Sequence, residues 1–114
     1  MKRLDIIILH EHMRTVNNTL HKHNVGGMTF YDIKGRGHSK NESEHVGTGV
    51  MEYVPEFGPW TKVEVVVSDP QAKQIIDDIL KVISTGSASD GKIFVYDVAE
   101  AYDLGTMKTG NIAL

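Results

Sequence analysis

The residues best placed to do chemistry form a glycine-rich run, Gly86-Ser-Ala-Ser-Asp-Gly91-Lys92, which matches G-x-x-x-x-G-K. A phosphate-binding loop of that pattern ends in Ser or Thr and runs from a strand into a helix whose N-terminus faces the phosphates. Here Ile93 holds the last position, and the flanking patterns run from helix into strand. The triphosphatase reading therefore fails on context. Glycine turns still offer several backbone N–H groups to an anion, and Lys92 adds a cation beside them. The run reads equally as an anion site or as an ordinary helix-to-strand connection. Gly35-Arg36-Gly37 is a second, weaker backbone cradle.

The histidines come as His10 and His12, and as His21 and His23. An i, i+2 pair shares a face on a strand and can hold a metal there, whereas on a helix the two side chains diverge by roughly 200°. The second pair falls in a helical segment, so solvated histidines are the default. The chain has no cysteine, which excludes disulfides, thiolate metal sites and cysteine nucleophiles. No G-x-S-x-G or H-E-x-x-H pattern marks a catalytic centre. The expectation is a protein that binds rather than catalyses.

Residues 37–58 show no sustained period and are rich in Ser, Asn, Glu, His and Gly. Structureless connections beyond ~12–15 residues are uncommon in compact domains and are usually functional or disordered. This one carries Val50, Met51, Tyr53, Val54 and Phe57, with Trp60 just after, more apolar surface than a solvated loop needs. It reads as a docking loop, with Val50, Met51, Tyr53 and Phe57 as candidate partner contacts.

The elements that must position these segments are legible from periodicity. Residues 2–10 have an Ile-rich centre suited to a buried strand. Met13, Val16 and Leu20 recur at helical spacing up to Asn24 and the Gly26-Gly27 pair, where glycine offers a left-handed stop. Residues 28–34 and 62–67 are rich in strand formers. Ser68-Asp69-Pro70 opens a helix along which Ala72, Ile75, Ile76, Ile79, Leu80 and Ile83 fall on one face. Residues 92–98 make the last strand, and a helical turn is expected at 99–102.

The order βαββαβ predicts an α+β, ferredoxin-like domain, a four-stranded antiparallel sheet with two helices on one face. At 114 residues the chain is one domain. Strands apolar on both faces, such as 6–9 and 65–67, imply that further subunits cover the second face, so a homo-oligomer is expected. Twelve Lys plus Arg against fifteen Asp plus Glu give a net charge of −3, the wrong sign for a nucleic-acid partner. The apolar run at 4–9 is too short to insert into a membrane, which points to the cytoplasm.

Met1-Lys-Arg-Leu-Asp-Ile-Ile-Ile8, Val25-Gly-Gly-Met-Thr29, Ile33-Lys-Gly-Arg-Gly37, the long loop, Lys62-Val-Glu-Val-Val-Val67 and Thr85-Gly-Ser-Ala-Ser-Asp-Gly-Lys-Ile-Phe-Val95 together resemble the PII signal-transduction proteins. The resemblance implies a single PII-like domain over 1–114, assembled as a homotrimer that binds an adenine nucleotide (ADP, AMP or ATP) in the clefts between subunits. It also implies a T-loop at about 37–58, a B-loop at about 85–91 and a C-terminal loop at about 102–114. By that resemblance Thr29, Glu64 and Val66 contact the adenosine. Thr85, Ser89, Asp90, Gly91 and Lys92 form the phosphate-side turn, and Gly35, Gly37, His38 and Ser39 lie at the T-loop base. The T-loop docks on a membrane transporter or a metabolic enzyme of nitrogen metabolism.

The departures from the family pattern fall on the effector groups. Typical members carry glutamine at Ser39, lysine at Trp60 and arginine at His38, and their C-terminal Arg-x-Arg-Thr-Gly is replaced here by the run from Tyr102 to Gly110. Only Lys108 stands where an arginine's role could pass to it. These losses imply weak or absent 2-oxoglutarate sensing, leave Mg²⁺ open, and favour ADP or AMP over ATP. The alternatives are a PII-like regulator of inorganic-carbon uptake and a divalent-metal-binding trimer of the same fold.

Overall fold

The computed structural model describes residues 1–37, 44–46, 51–53 and 56–114. Four strands form one antiparallel sheet: β1 (Lys2–Ile8), β2 (Thr29–Gly35), β5 (Gly58–Val67) and β6 (Lys92–Asp97), in the spatial order β2-β5-β1-β6. Two helices, α1 (Met13–Lys22) and α2 (Asp69–Ile83), cover one face. This is the expected ferredoxin-like arrangement. Two three-residue strands inside the long loop, β3 (Glu44–Val46) and β4 (Met51–Tyr53), pair with each other and not with the main sheet. The loop was expected to be structureless, and the hairpin corrects that. Strands this short carry no sustained alternation by which a sequence could announce them.

Alternation sorts the side chains. Leu4, Ile6 and Ile8 of β1, with Val63, Val65 and Val67 of β5, point toward the helices, where they meet Val16 and Leu20 of α1 and Ala72, Ile75, Ile79 and Ile83 of α2. All of these are buried. The helix starts and stops have local causes. Ser68 accepts the backbone N–H of Gln71 at 3.4 Å while the Gln71 side chain accepts the Ser68 N–H at 3.0 Å, a reciprocal box that fixes the start of α2. At the end of α1 it is Asn24, with φ of 60°, that enters the left-handed region, and the following Val25 N–H reaches back to Leu20. The expected stop at Gly26-Gly27 thus sits two residues too late; asparagine tolerates that conformation nearly as well as glycine.

Two further expectations are corrected. β5 begins at Gly58 rather than Lys62, which takes Trp60 out of the loop and into the sheet opposite Ile33. Pro59 is tolerated because β1 pairs with β5 only as far as Thr61, so at Pro59 the strand has a neighbour on the β2 side alone. Residues 99–102 make no helical turn. Tyr102 instead bridges Thr109 across a tight turn, in which the Met107 N–H donates to the Asp103 carbonyl at 2.8 Å, and a short 3₁₀ turn, Gly110–Ala113, follows.

Candidate functional site

The sheet face away from the helices carries Arg3, Asp5 and Ile7 on β1, Tyr31 and Ile33 on β2, Trp60, Lys62, Glu64 and Val66 on β5, and Lys92, Phe94 and Tyr96 on β6. Its centre is a charged network. Arg3 donates twice to the nearly inaccessible Asp5 carboxylate, at 2.8 and 2.9 Å, and Lys62 stands 3.5 Å from Asp5 and 3.4 Å from Glu64. Tyr31 donates its hydroxyl to Glu64 at 2.7 Å. The Arg3 guanidinium beside Asp5 holds that carboxyl below its usual range, and the Tyr31 hydroxyl does the same for Glu64.

At one end of this face lies a cavity of about 300 Å³. Its floor and walls are Ile7, Ile33, Trp60 and Phe94, and its rim is built from the two glycine-rich segments: Gly35, Arg36 and Gly37 on one side, Ala88, Gly91 and Lys92 on the other. The sequence offers the two cradles as separate features fifty residues apart. Register brings them together, since Lys92 pairs with Ile7 of β1 and Ile7 pairs with Lys62 beside β2. Gly91 has φ of 122°, and a Cβ there would collide with the backbone carbonyl of Ile7, so only glycine lets β6 begin this close to β1. The arrangement offers backbone donors and cations at the rim and an apolar wall behind, suited to an anion attached to an apolar group.

The remaining predicted site residues divide clearly. Asp90 is turned into its own loop, accepting the Thr85 N–H at 2.7 Å and the Thr85 hydroxyl at 2.7 Å, and the Thr85 N–H keeps its carboxyl below the usual range. Thr85 and Asp90 thus shape the turn. Ser89 donates its N–H to the Ser87 hydroxyl at 3.0 Å. Thr29 and Glu64 pair with each other and do not line the cavity; Thr29 is six residues along β2 from Gly35, about 20 Å at strand rise. Val66 lines a different cavity of about 340 Å³, between residues 24–27 and the C-terminal residues Asn111, Ala113 and Leu114. Lys108 sits in the exposed turn closed by Tyr102 and Thr109.

His38, Ser39 and Val50 lie outside the described residues, and Met51 and Tyr53 are placed only as parts of β4. Phe57 is half exposed beside Arg36. The sequence reading missed Ile7, Ile33 and Phe94 as cavity walls, although Phe94 follows Lys92 at the i, i+2 spacing that puts both on one strand face.

For the histidines, His10 lies 3.2 Å from the Thr61 hydroxyl and His23 lies 2.6 Å from Asp78. Among the described residues no three His, Asp or Glu side chains converge into a metal site. Nor, among them, is any helix long and apolar enough to cross a membrane.

Comparison with known proteins shows the family and the fold. The family model described as nitrogen regulatory protein P-II matches residues 1–108. The nitrogen regulatory protein P-II of Klebsiella oxytoca and the P-II 1 protein of Escherichia coli (strain K12) are each 35% identical over 114 residues, covering 100% of both chains. The P-II protein of Pasteurella multocida (strain Pm70) is 37% identical over 106 residues, 93% of each chain. Among solved structures, B. subtilis GlnK superposes with a TM-score of 0.77 at 28% identity, covering 99% of this chain and 97% of that one. A GlnK-ATP complex from B. subtilis superposes with a TM-score of 0.76 at 26% identity, covering 99% and 96%. With the family model matched over residues 1–108, full-length similarity to its members and the fold shared with GlnK, the chain belongs to the nitrogen regulatory protein P-II family of signal-transduction regulators.

Proposed function

We propose that this regulator acts without catalysis, as a homotrimer that binds an adenine nucleotide between subunits and docks on a target through its T-loop. The observation that carries the reading is the division of the site residues. One chain collects Gly35, Gly37, Gly91 and Lys92 around a single cavity and leaves Thr29, Glu64, Val66 and Lys108 outside it. A second copy laid against the open face supplies the missing half from its own Thr29 edge and C-terminal turn. The nucleotide phosphates then meet the backbone donors and Lys92, with Ser89, His38 and Ser39 close by along the chain, while the base packs toward the adenosine-side group. The B. subtilis GlnK-ATP complex supports a nucleotide as the ligand.

Few cations serve the distal phosphates, with His38, Ser39 and Trp60 standing where typical members carry Arg, Gln and Lys. Each further phosphate adds charge that has to be matched in a partly dry site. ADP or AMP is therefore the preferred effector, no carboxylate cluster that could hold Mg²⁺ forms among the described residues, and 2-oxoglutarate sensing is weak or lost. The working place is the cytoplasm, and the target is a membrane transporter or a metabolic enzyme reached through Val50, Met51, Tyr53 and Phe57. Calorimetry with AMP, ADP and ATP, each with and without Mg²⁺ and 2-oxoglutarate, tests the effector. The expected result is tighter binding of ADP or AMP and no gain from 2-oxoglutarate; ATP binding that tightens with Mg²⁺ and 2-oxoglutarate would overturn it.

A further inference from the structure

Arg36 stands between the two glycines of the first cradle. It lines the cavity together with Lys92. Its guanidinium also donates to the Glu56 carboxylate and lies 5.8 Å from the centre of the Phe57 ring. Glu56 and Phe57 lead directly into β5. One side chain therefore touches both the rim of the cavity and the chain re-entering the sheet. Lys92, by contrast, has no carboxylate partner among the described residues.

We propose that Arg36 is a second anion-binding side chain of this cavity, held by Glu56 when the cavity is empty and transferred to the ligand's phosphate or other anionic group when it is filled. The energetics favour transfer. Both members of the Arg36–Glu56 pair are about three-fifths exposed, and an exposed pair of this kind holds its partner by a factor of about five at most. An anion seated between Arg36 and Lys92 is backed by Ile7, Ile33, Trp60 and Phe94, which keep water off one side and strengthen charge-assisted bonds to it. The guanidinium fork also matches two phosphate oxygens at once, which a lysine cannot do. Transfer takes the cation off the Phe57 ring, so occupancy of the cavity is read directly at the residues that enter β5.

The proposal rests on the nucleotide reading only for the identity of the anion, and the test separates the two. Trp60 is the single tryptophan and forms part of the wall, so its fluorescence follows binding to the full-length chain. ADP and inorganic triphosphate are titrated into the wild type, Arg36→Ala, Arg36→Lys, Glu56→Gln and the Arg36→Ala/Glu56→Gln double variant. Arg36→Ala is expected to weaken both ligands by about tenfold or more, the loss of a charge-assisted bond, with Arg36→Lys in between. Glu56→Gln is expected to tighten both by up to about fivefold, and that gain vanishes when Arg36 is absent. A merely structural pair would shift both single variants in the same direction, and that outcome overturns the proposal. So does a Glu56→Gln gain that persists without Arg36. Wild type that binds ADP while Arg36→Ala binds it equally well removes the Arg36 proposal and leaves the nucleotide reading standing. Wild type that binds triphosphate but not ADP, with opposite shifts in the single variants, does the reverse, and wild type that binds neither overturns both.

Discussion

The two faces of the sheet are built from neighbouring residues on the same strands yet follow opposite rules. Toward the helices, Leu4, Ile6, Ile8, Val63, Val65 and Val67 make an aliphatic layer closed by α1 and α2, sealed within one chain. The other face alternates charge with apolar surface. Arg3, Asp5, Lys62 and Glu64 are tied to one another, while Tyr31, Phe94 and Tyr96 each keep more than two-fifths of their surface exposed. Arg3 lies 4.8 Å from the centre of the Tyr96 ring and Lys62 lies 5.8 Å from that of Tyr31, so even the cations sit over aromatic surface. The difference teaches that one face needs only hydrophobic volume, whereas the other is pre-arranged to be covered by something specific. On the reading proposed above, that cover is a second and third copy of the chain.

Ile6 and Ile7 give the sharpest way to break the comparison, because they are adjacent, chemically identical and point to opposite faces. Ile6 is fully buried in the helix-side core. Ile6→Ala is expected to cost about 2–5 kcal/mol of stability, the range for deleting a buried aliphatic side chain with the cavity it leaves. Urea denaturation reads this as a lower midpoint with an unchanged slope. A cost no larger than that of a surface substitution would mean that the two faces are not energetically distinct.

Ile7→Ala is the second and smaller effect. Ile7 is only partly buried in a single chain, so its truncation should cost the isolated subunit about 1 kcal/mol or less. Its consequence belongs to assembly. Sedimentation velocity across a dilution series should show the variant dissociating at higher concentration than the wild type, while Ile6→Ala, where it folds, keeps the wild-type assembly. Unchanged sedimentation of Ile7→Ala would remove the open face as the subunit interface.

How far the sequence reached follows the same division. The helix-side core was legible because it depends on local rules: the Ile-rich centre of residues 2–10, the β-branched run at 62–67, the i, i+3, i+4 spacing from Ala72 to Ile83, and the start signal Ser68-Asp69-Pro70. The strand order followed from the order of elements. The site was legible in pieces only. Gly35-Arg36-Gly37 and Gly91-Lys92 are visible as cradles, but their meeting at Ile7 is a matter of register between strands far apart in the chain, which no local pattern encodes. The same holds for Trp60, whose place in β5 opposite Ile33 depends on pairing with β2, and for Asp90, whose hydrogen bonds from Thr85 form only once the turn closes.

Asp5 gives the smallest effect and the one that sharpens the contrast rather than breaking it. Its carboxyl is held below its ordinary value near 3.8 chiefly by the two hydrogen bonds from Arg3, helped by Lys62. A carboxylate whose folded value is depressed stabilises the fold fully above its unfolded value, and that contribution fades as pH falls through the folded one. The wild type should therefore lose stability on acidification below about pH 4, and part of that loss is Asp5's own. Asp5→Asn keeps the shape but not the charge, so its stability should be lower near neutrality and fall less steeply over the same acid range. The change near neutrality is modest, because Arg3 keeps some two-fifths of its side chain in solvent and water replaces part of what the carboxylate gave it. Thermal unfolding of both proteins from pH 3 to pH 7 measures the two slopes. Parallel slopes would show that the Arg3–Asp5 pair does not couple to folding and that the charged face is held only by its apolar members. If the copies that cover this face also dry the pair, the difference between the slopes should widen as protein concentration rises, which links the charge network directly to assembly.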